Sequence, residues 1–554
     1  MKKLFLFSLT TCIFLACKKD NVTTPPPPAS GSFTFVKATI NDSLYNPSIY
    51  NVITNPVIRI SFSAPINKST VAGNVLLAGG GAVIPSNYSY SNNDSTLVIQ
   101  PASSLKRLTK YAVNVSTALK SVADSPLQNV LKLSFVTAID STDKFPQISD
   151  SALLTLVQQQ TFKYFWDFGH PVSGMALERN SSGDIVTTGG SGFGVMAILV
   201  GIQRNFILRT DGLTRIAQIV NFLTTKAHRY HGAFPHWMNG ATGATVPFST
   251  QDDGADLVET SYMMEGLLCA RQYFNTPDPT ESGLRSDINN LWNGVEWNWF
   301  RQNNQNTLFW HWSPDFNWAI NMPITGWDEA LIVYALAAST NIDSNRIPKI
   351  VYDNGWARNG AMKNGNTYYG IQLPLGPNLG GPLFFAHYSF LGINPNNLSD
   401  AYANYLTQNS NHTKINYSYC VANPKHFNGY SNICWGLTAS DEDNGYSAHA
   451  PDNDDGVITP TAAISSLPYT PAESMAALKF FYYTLGDKIW GTYGFVDAFN
   501  LSSGWFADSF LAIDQGPEII MIENYRTGLM WNLFMSCPEI KTGMMSLGFA
   551  SPNL

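Results

Sequence analysis

The chain has 554 residues, of which 13% are charged and 13% aromatic, and it carries a net charge of −7. Such a length supports more than one domain, and a charged share far below the usual value of about 25% excludes a disordered chain. The acidic balance and the lack of any Lys/Arg run exclude a nucleic-acid-binding surface.

The chain opens with Lys2 and Lys3, an apolar run from Leu4 to Ala16, and Cys17. This predicts a secretory signal over residues 1–17, too short to span a membrane. Phe14-Leu15-Ala16-Cys17 resembles a bacterial lipobox, which implies acylation of Cys17. The expected membrane link is that lipid alone, and the expected location is periplasmic or on the outer-membrane surface. Residues 18–31 include Pro25–Pro28 and read as an extended linker. Of the later cysteines, Cys269, Cys420, Cys434 and Cys537, none forms a C-x-x-C pair, so a zinc site is not expected. Cys420 and Cys434 are the only close pair, and no disulfide is predicted for them.

From residue 32 to about residue 140, short alternating segments predict strands at Val57–Ser63, Thr96–Gln100, Tyr111–Ser116 and Leu131–Thr137. Turn-rich spacers such as Gly79–Gly81 and Ser91–Asp94 separate them. The expectation is a small all-β sandwich. FSAPINKSTV near its start and SFVT at its end resemble bacterial Ig-like domains, which implies a spacer role.

Composition then changes, because all 14 Trp and all nine His lie beyond residue 165. Apolar residues at i, i+3 and i+4 predict helices at Leu153–Phe168, Gly194–Phe206, Leu213–Ala227, Asp256–Phe274, Leu284–Phe300 and Trp327–Ser339. Further helices are predicted at Phe384–Leu391, Leu398–Gln408, Pro471–Leu485 and Trp505–Cys537, the last broken at Gly516-Pro517. Thr187–Gly194 (TTGGSGFG) reads as a tight turn into a helix. About a dozen helices over residues 145–554 make the fold class mainly α, and an (α/α)6 barrel fits both count and length. Loops at one end of such a barrel would carry the site.

Two acidic elements stand out. In Gln251–Thr260 (QDDGADLVET), Asp252, Asp256 and Glu259 are spaced i, i+4, i+7 and would share one helix face. Asp253 would point elsewhere. An acidic first turn that merely complements a helix dipole has the same look, and the neighbouring elements weigh against it. In Gly326–Ser339, Trp327, Asp328 and Glu329 are predicted in the first helical turn. Just upstream, Leu308–Trp318 holds Trp310, His311 and Trp312. Carboxylates beside aromatic faces suit a sugar cleft, and glycoside hydrolysis needs two carboxyl groups in different roles. The nucleophile-elbow, phosphate-loop and H-E-x-x-H patterns do not occur. His228 and His231 lack a third ligand in the sequence, so no metal is expected.

These motifs also carry a family resemblance. TFKYFWDFGHPVSGMALER, TTGGSGFGVMAI, HGAFPHWMNGATG, DDGADLVET, WHWSPDFNW and GWDEALI run in order along the chain. YYGIQLPLGPNLGGPLFFAHYSFLG, NPKHFNGYSNICWGLTASDEDNGYSAHAP, YGFVDAFN and AIDQGPEIIMIENYRTGLMW follow. Together they resemble the bacterial glucoamylase-like domain of glycoside hydrolase family 144. The resemblance implies an (α/α)6 barrel that hydrolyses β-1,2-glucan or its oligosaccharides, in endo or exo mode, with inversion and no cofactor. It implies Glu329 as general acid and Asp252, Asp256 and Glu259 as the acids that activate water. Trp327, Asp328, Asp253, Trp312, His311, Trp310, Asp514, Gln515 and Glu523 are implied at the sugar subsites. The resemblance implies Asn in many relatives where this chain has Asp328, and a charge there would raise the pKa of the neighbouring acid if the two are close. The expected partner is a glucan and the expected state a monomer. The alternatives are a non-catalytic glycan-binding lipoprotein or a hydrolase of another glucan linkage.

Overall fold

The computed structural model describes residues 31–554 except Ser48; Cys17, the signal segment and residues 18–30 lie outside the described residues. The chain forms two compact units. The first comprises residues 31–47, Thr54–Leu105 and Tyr111–Ser134, and the second 49–53, Lys106–Lys110 and Phe135–Leu554.

The first unit is built on two antiparallel sheets. Strands β1 (Phe35–Ile40), β2 (Ser43–Leu44), β3 (Ile58–Phe62), β4 (Val75–Gly79), β5 (Ala82–Ile84), β6 (Ser86–Ser91), β7 (Thr96–Pro101), β8 (Lys110–Val115) and β9 (Leu131–Val136) appear in chain order. One sheet has the order β2-β1-β3-β7-β6 and the other β5-β4-β8-β9. Ile58, Ile60 and Phe62 on β3 are buried while Arg59 and Ser61 are not, the two-residue period of a strand with one face on a core. Ile58 pairs with Ile99 and Ile60 with Leu97, so the buried faces of β3 and β7 coincide.

Helices dominate the second unit. Helices α1 (Asp150–Trp166), α3 (Arg209–Thr225) and α5 (Pro279–Asn293) bury one stripe each, as with Ile216, Ile219, Val220 and Leu223 on α3. By contrast α2 (Thr188–Gln203), α4 (Leu257–Tyr273) and α6 (Leu331–Ser339) are buried on nearly every side. Helix α2 packs against both α4 and the helix Ala512–Thr527, and α4 also touches α6. Ile332 of α6 donates its N–H to Ser389 Oγ (3.0 Å), in the short helical turns Phe384–His387 and Tyr388–Phe390. His387 Nε2 lies 3.0 Å from Ser466 Oγ, just past the helix Pro460–Ile464. Thr461 of that helix donates to the Asp514 carbonyl (2.8 Å).

Three expectations need correction. The glycine-rich segment is not a turn: Gly189, Gly190, Gly192 and Gly194 lie inside α2. A Cβ on Gly192 would sit 2.2 Å from the Tyr262 carbonyl oxygen, and one on Gly266 would sit 2.1 Å from that of Gly192. The glycines therefore let α2 and α4 touch backbone to backbone, and tertiary packing overrides their poor helix propensity.

The helix expected at Leu398–Gln408 runs instead over Tyr405–Ala422. Its inward face is polar, with Gln408 accepting from Leu375 N–H (2.8 Å) and Asn416 donating to Leu437 O (3.1 Å), so apolar periodicity cannot mark it. The helix expected to break at Gly516-Pro517 runs on from Ala512 to Thr527 and ends at Gly528, where φ is +70°. The cysteines at 269, 420, 434 and 537 are free and buried.

Candidate active site

A cavity of about 450 Å3 opens in the helical unit where α2, α4 and α6 begin, and Glu259, Glu329, His236, Trp310, Phe248 and Tyr446 all line it. Of the carboxyl groups at or beside this cavity, Asp256, Glu259 and Glu329 are held in different ways.

Asp256 is the N-cap of α4. Its Oδ1 accepts from the N–H groups of Val258 (3.0 Å) and Glu259 (2.9 Å), two donors that a helix start leaves unpaired. Its Oδ2 lies 2.9 Å from His236 Nδ1 and 3.6 Å from His311 Nε2. A two-residue antiparallel ladder pairs Ala255 with Trp312 and Asp256 with His311, which brings the Trp-His-Trp element onto the acid. Burial pushes the Asp256 carboxyl up, yet the His236 hydrogen bond and the charge of His311 outweigh it and hold the carboxyl below its ordinary value. His236 responds in the opposite sense. Burial drives it down, but Glu259, the Asp256 bond and Asp252 raise it to about 9, so it carries a positive charge at neutral pH.

Glu259 sits in the first turn of α4, and its Oε2 accepts from Gly189 N–H (2.7 Å) and Thr187 Oγ1 (3.3 Å). Gly189 is the second residue of α2, so the start of one helix grips the acid of another. A Cβ at Gly189 would stand 2.8 Å from that same carboxylate oxygen, which is why the position is glycine. Burial raises the Glu259 pKa.

Glu329 precedes α6 and faces the cavity. Its carbonyl accepts from the Ser389 hydroxyl and from Tyr262 OH (3.4 Å), which anchors the backbone and leaves the carboxyl for the cavity. Burial, then the negative charges of Asp256 and Glu259, push its pKa to about 7. Asp252 also rises to about 7, from burial and the Asp256 charge, and its Oδ2 lies 3.3 Å from His311 Nε2. The cavity therefore joins a proton-holding carboxyl, an anchored second carboxyl, and a charged Asp256–His236 pair. That is an acid–base arrangement.

His236, Asp252 and Asp256 bring ligand-type atoms within 4.8 Å of one another. His236 Nδ1 is already bonded to Asp256, and a metal ion there would have to displace the imidazolium proton.

Two family models match the chain: one described as "Putative glucoamylase" over residues 321–538, and one for a bacterial Ig-like domain over residues 39–137. The structure of an endo-β-1,2-glucanase from Chitinophaga pinensis, in complex with sophorotriose and glucose, is 50% identical. It superposes with a TM-score of 0.72 over 74% of this chain and 100% of that one. The chain belongs to glycoside hydrolase family 144. A β-1,2-glucanase from Parabacteroides distasonis is 36% identical, with a TM-score of 0.70 over 93% of this chain and 73% of that one. An exo β-1,2-glucooligosaccharide sophorohydrolase (non-reducing end) from the same species is 45% identical over 422 residues, 72% of this chain. The chain spans 58% of that curated relative's length.

Within this family 144 domain the expected site residues divide. Glu329, Glu259 and Trp310 line the cavity, and Asp252, Asp256 and His311 cluster beside it. The periodicity argument for the first acidic element does not hold: α4 begins at Leu257, so Asp252 lies in a loop, Asp256 caps the helix, and only Glu259 is helical. Likewise Trp327, Asp328 and Glu329 precede α6, which starts at Leu331.

Trp327 is no sugar platform: 4% exposed, it packs among Trp356, Phe390 and Tyr405 in the core. Asp328 turns back to accept from Ala330 N–H (2.8 Å), and burial with the Glu329 charge raises its own pKa well above the usual range. The extra acid therefore shifts itself rather than Glu329. Trp312 stands edge-on to Trp299 and His231, and Asp253 is half-buried; neither lines the cavity. Glu523 is an internal ion-pair partner of Arg204 (2.6 and 2.8 Å), and Gln515 donates to the Phe495 carbonyl (2.9 Å).

Asp514 lies behind the wall. Burial, then the negative charge of Asp497, raises its carboxyl well above the usual range. Asp497 in turn accepts from Asp441 N–H (2.7 Å), and the Asp441 carboxylate pairs with Arg179 (3.0 Å), which lines the cavity.

Sequence reasoning missed His236, Phe248, Arg179 and Tyr446. His236 was within sight, in the HGAFPHWMNG motif between two glycine-rich turns, but a lone histidine carries no spacing signal. Phe248 (50% exposed) and Tyr446 (51%) are wet aromatic faces at the cavity, the trait that Trp327 lacks.

Proposed function

We propose that this chain is an inverting glycoside hydrolase that cleaves β-1,2-linked glucan. The observation that carries the reading is a single cavity lined by Glu329, raised to about 7, by Glu259 and by His236, which is paired to the buried Asp256. The β-1,2 linkage rests on what the named relatives act on. In this mechanism protonated Glu329 gives its proton to the interglucosidic oxygen as the C1–O bond breaks. A carboxylate of the Asp252–Asp256–Glu259 set takes a proton from water, whose oxygen bonds to C1 from the opposite face. Of that set Glu259 reaches the cavity, and the Asp256–His236 pair orders the rest. Phe248, Tyr446 and Trp310 offer ring faces to the apolar sides of glucose units.

The wild-type protein is expected to release reducing ends from linear β-1,2-glucan, each first formed as the α-anomer and seen by proton NMR before mutarotation. Release of the β-anomer would exclude inversion. Absence of any new reducing end would leave a sugar-binding protein or a hydrolase of another glucan linkage.

The proposed architecture is an (α/α)6 barrel. What supports it is a succession of mutually packed inner segments: α2, α4, α6, Phe384–Phe390, Pro460–Ile464 and Ala512–Thr527, which meets α2 again. The proposed order along the chain is signal peptide 1–17, linker 18–31, Ig-like spacer 32–140 and catalytic domain 145–554. The proposed state is a monomer with no cofactor, tethered to the membrane through acylated Cys17. Detergent-phase partitioning is expected for the wild type and lost in Cys17→Ser; equal partitioning of the two would refute the anchor.

A further inference from the structure

A second groove in the helical unit, about 570 Å3 in volume, is unlike the acidic cavity: no carboxylate lines it. Asn321, Thr325, Asn354, Arg358 and Asn359 face it, beside Phe309. Those first five side chains make no hydrogen bond or ion pair with another described residue. Arg358 and Asn359 sit in left-handed backbone, with φ of +49° and +53°, and the Arg358 stem lies against Gly326, its Cδ 3.9 Å from where a Cβ would stand.

Segments that line the groove continue directly into residues that line the cavity. Phe309 is followed by Trp310, which lines the cavity, and Trp310 N–H donates to Met322 O (3.0 Å) beside Asn321. Thr325 and Gly326 lead into Glu329, and Gly326 N–H donates to Trp356 O (2.8 Å), tying in the loop that carries Asn354 and Arg358.

We propose that this groove is a remote subsite that holds a glucan chain extending from the catalytic cavity. Amide and guanidinium groups can each engage two hydroxyls of a sugar ring, and three free amides with one free guanidinium suit several rings in succession. With no acid in the lining, the groove binds without cleaving. The assignment rests on the hydrolase reading above.

The test compares kcat/KM on long β-1,2-glucan with kcat/KM on a short oligosaccharide, for the wild type and for Asn354→Ala/Arg358→Ala. The long-to-short ratio is expected to fall about ten-fold, the size expected for losing a few solvent-competing hydrogen bonds. Arg358→Lys, which keeps a donor, is expected to restore part of it. A ratio unchanged within two-fold, or an equal fall on both substrates, overturns the proposal. If the wild type cleaves no β-1,2-glucan, the hydrolase reading fails, and the groove is then tested by binding of the same polymer to Glu329→Gln with and without the two groove changes. Equal binding overturns the groove as well.

Discussion

Glu329→Gln is expected to lower kcat on β-1,2-glucan by roughly 10²–10⁴-fold, with KM little changed, because a general acid contributes about that much to the transition state and little to ground-state binding. The amide keeps the shape of the side chain and cannot give up a proton. An aryl glycoside with an acidic leaving group needs less protonation, so its rate is expected to fall far less. Equal losses on both substrates would move the acid elsewhere.

The same substitution has a thermodynamic signature. The Glu329 pKa is raised from 4.5 to about 7 in the fold, so its contribution to stability is complete below pH 4.5 and is lost as pH rises through 7. Gln carries no charge to desolvate. The variant should therefore match the wild type near pH 4 and unfold at a higher temperature at pH 8, while wild-type activity declines as pH passes 7. A variant no more stable than the wild type at pH 8 would show that the carboxyl is not held in the desolvated state described here.

Asp256→Asn is expected to be the second most damaging change, with activity reduced roughly 10²-fold or more, the range for disabling an acid–base group. Asn still caps α4 through its oxygen, so the helix start survives. What is lost is the carboxylate facing His236 Nδ1 at 2.9 Å. Burial then acts on His236 with less compensation, and its pKa falls from about 9.

The pH dependence of the stability loss follows from both partners. The raised His236 contributes fully below pH 6.5 and loses its contribution as pH rises through 9. The lowered Asp256 contributes above pH 3.8 and loses its contribution as pH falls through its folded pKa. Asp256→Asn should therefore lower the melting temperature most between about pH 4 and 6.5, and the gap should narrow as pH rises through 9. A melting-temperature gap equally wide at pH 5 and pH 10 would contradict an ionic pair.

The chain order of strands, then apolar helices, then acidic and aromatic motifs follows from local chemistry. Ile58, Ile60 and Phe62 alternate because a strand alternates, and α3 shows its stripe because one side meets solvent. The acids were visible for a similar reason: QDDGADLVET and GWDEA crowd charges into a chain that is otherwise poor in them. Their grouping came out of the sequence for the wrong reason, since Asp252 and Asp256 lie outside the helix that was to align them.

Tertiary contacts decided which of these groups can act. Glu259 is set by an N–H seventy residues earlier, Asp256 by His236 and His311, and Glu329 by a serine on the turns after it. Trp327 and Glu523 have the residue types of a sugar site, yet one fills the core and the other neutralises Arg204. Side-chain type and spacing report how a segment meets its own neighbours. Burial beside a distant charge, which shifts a carboxyl to about 7 or holds an imidazole near 9, exists only once the chain has closed.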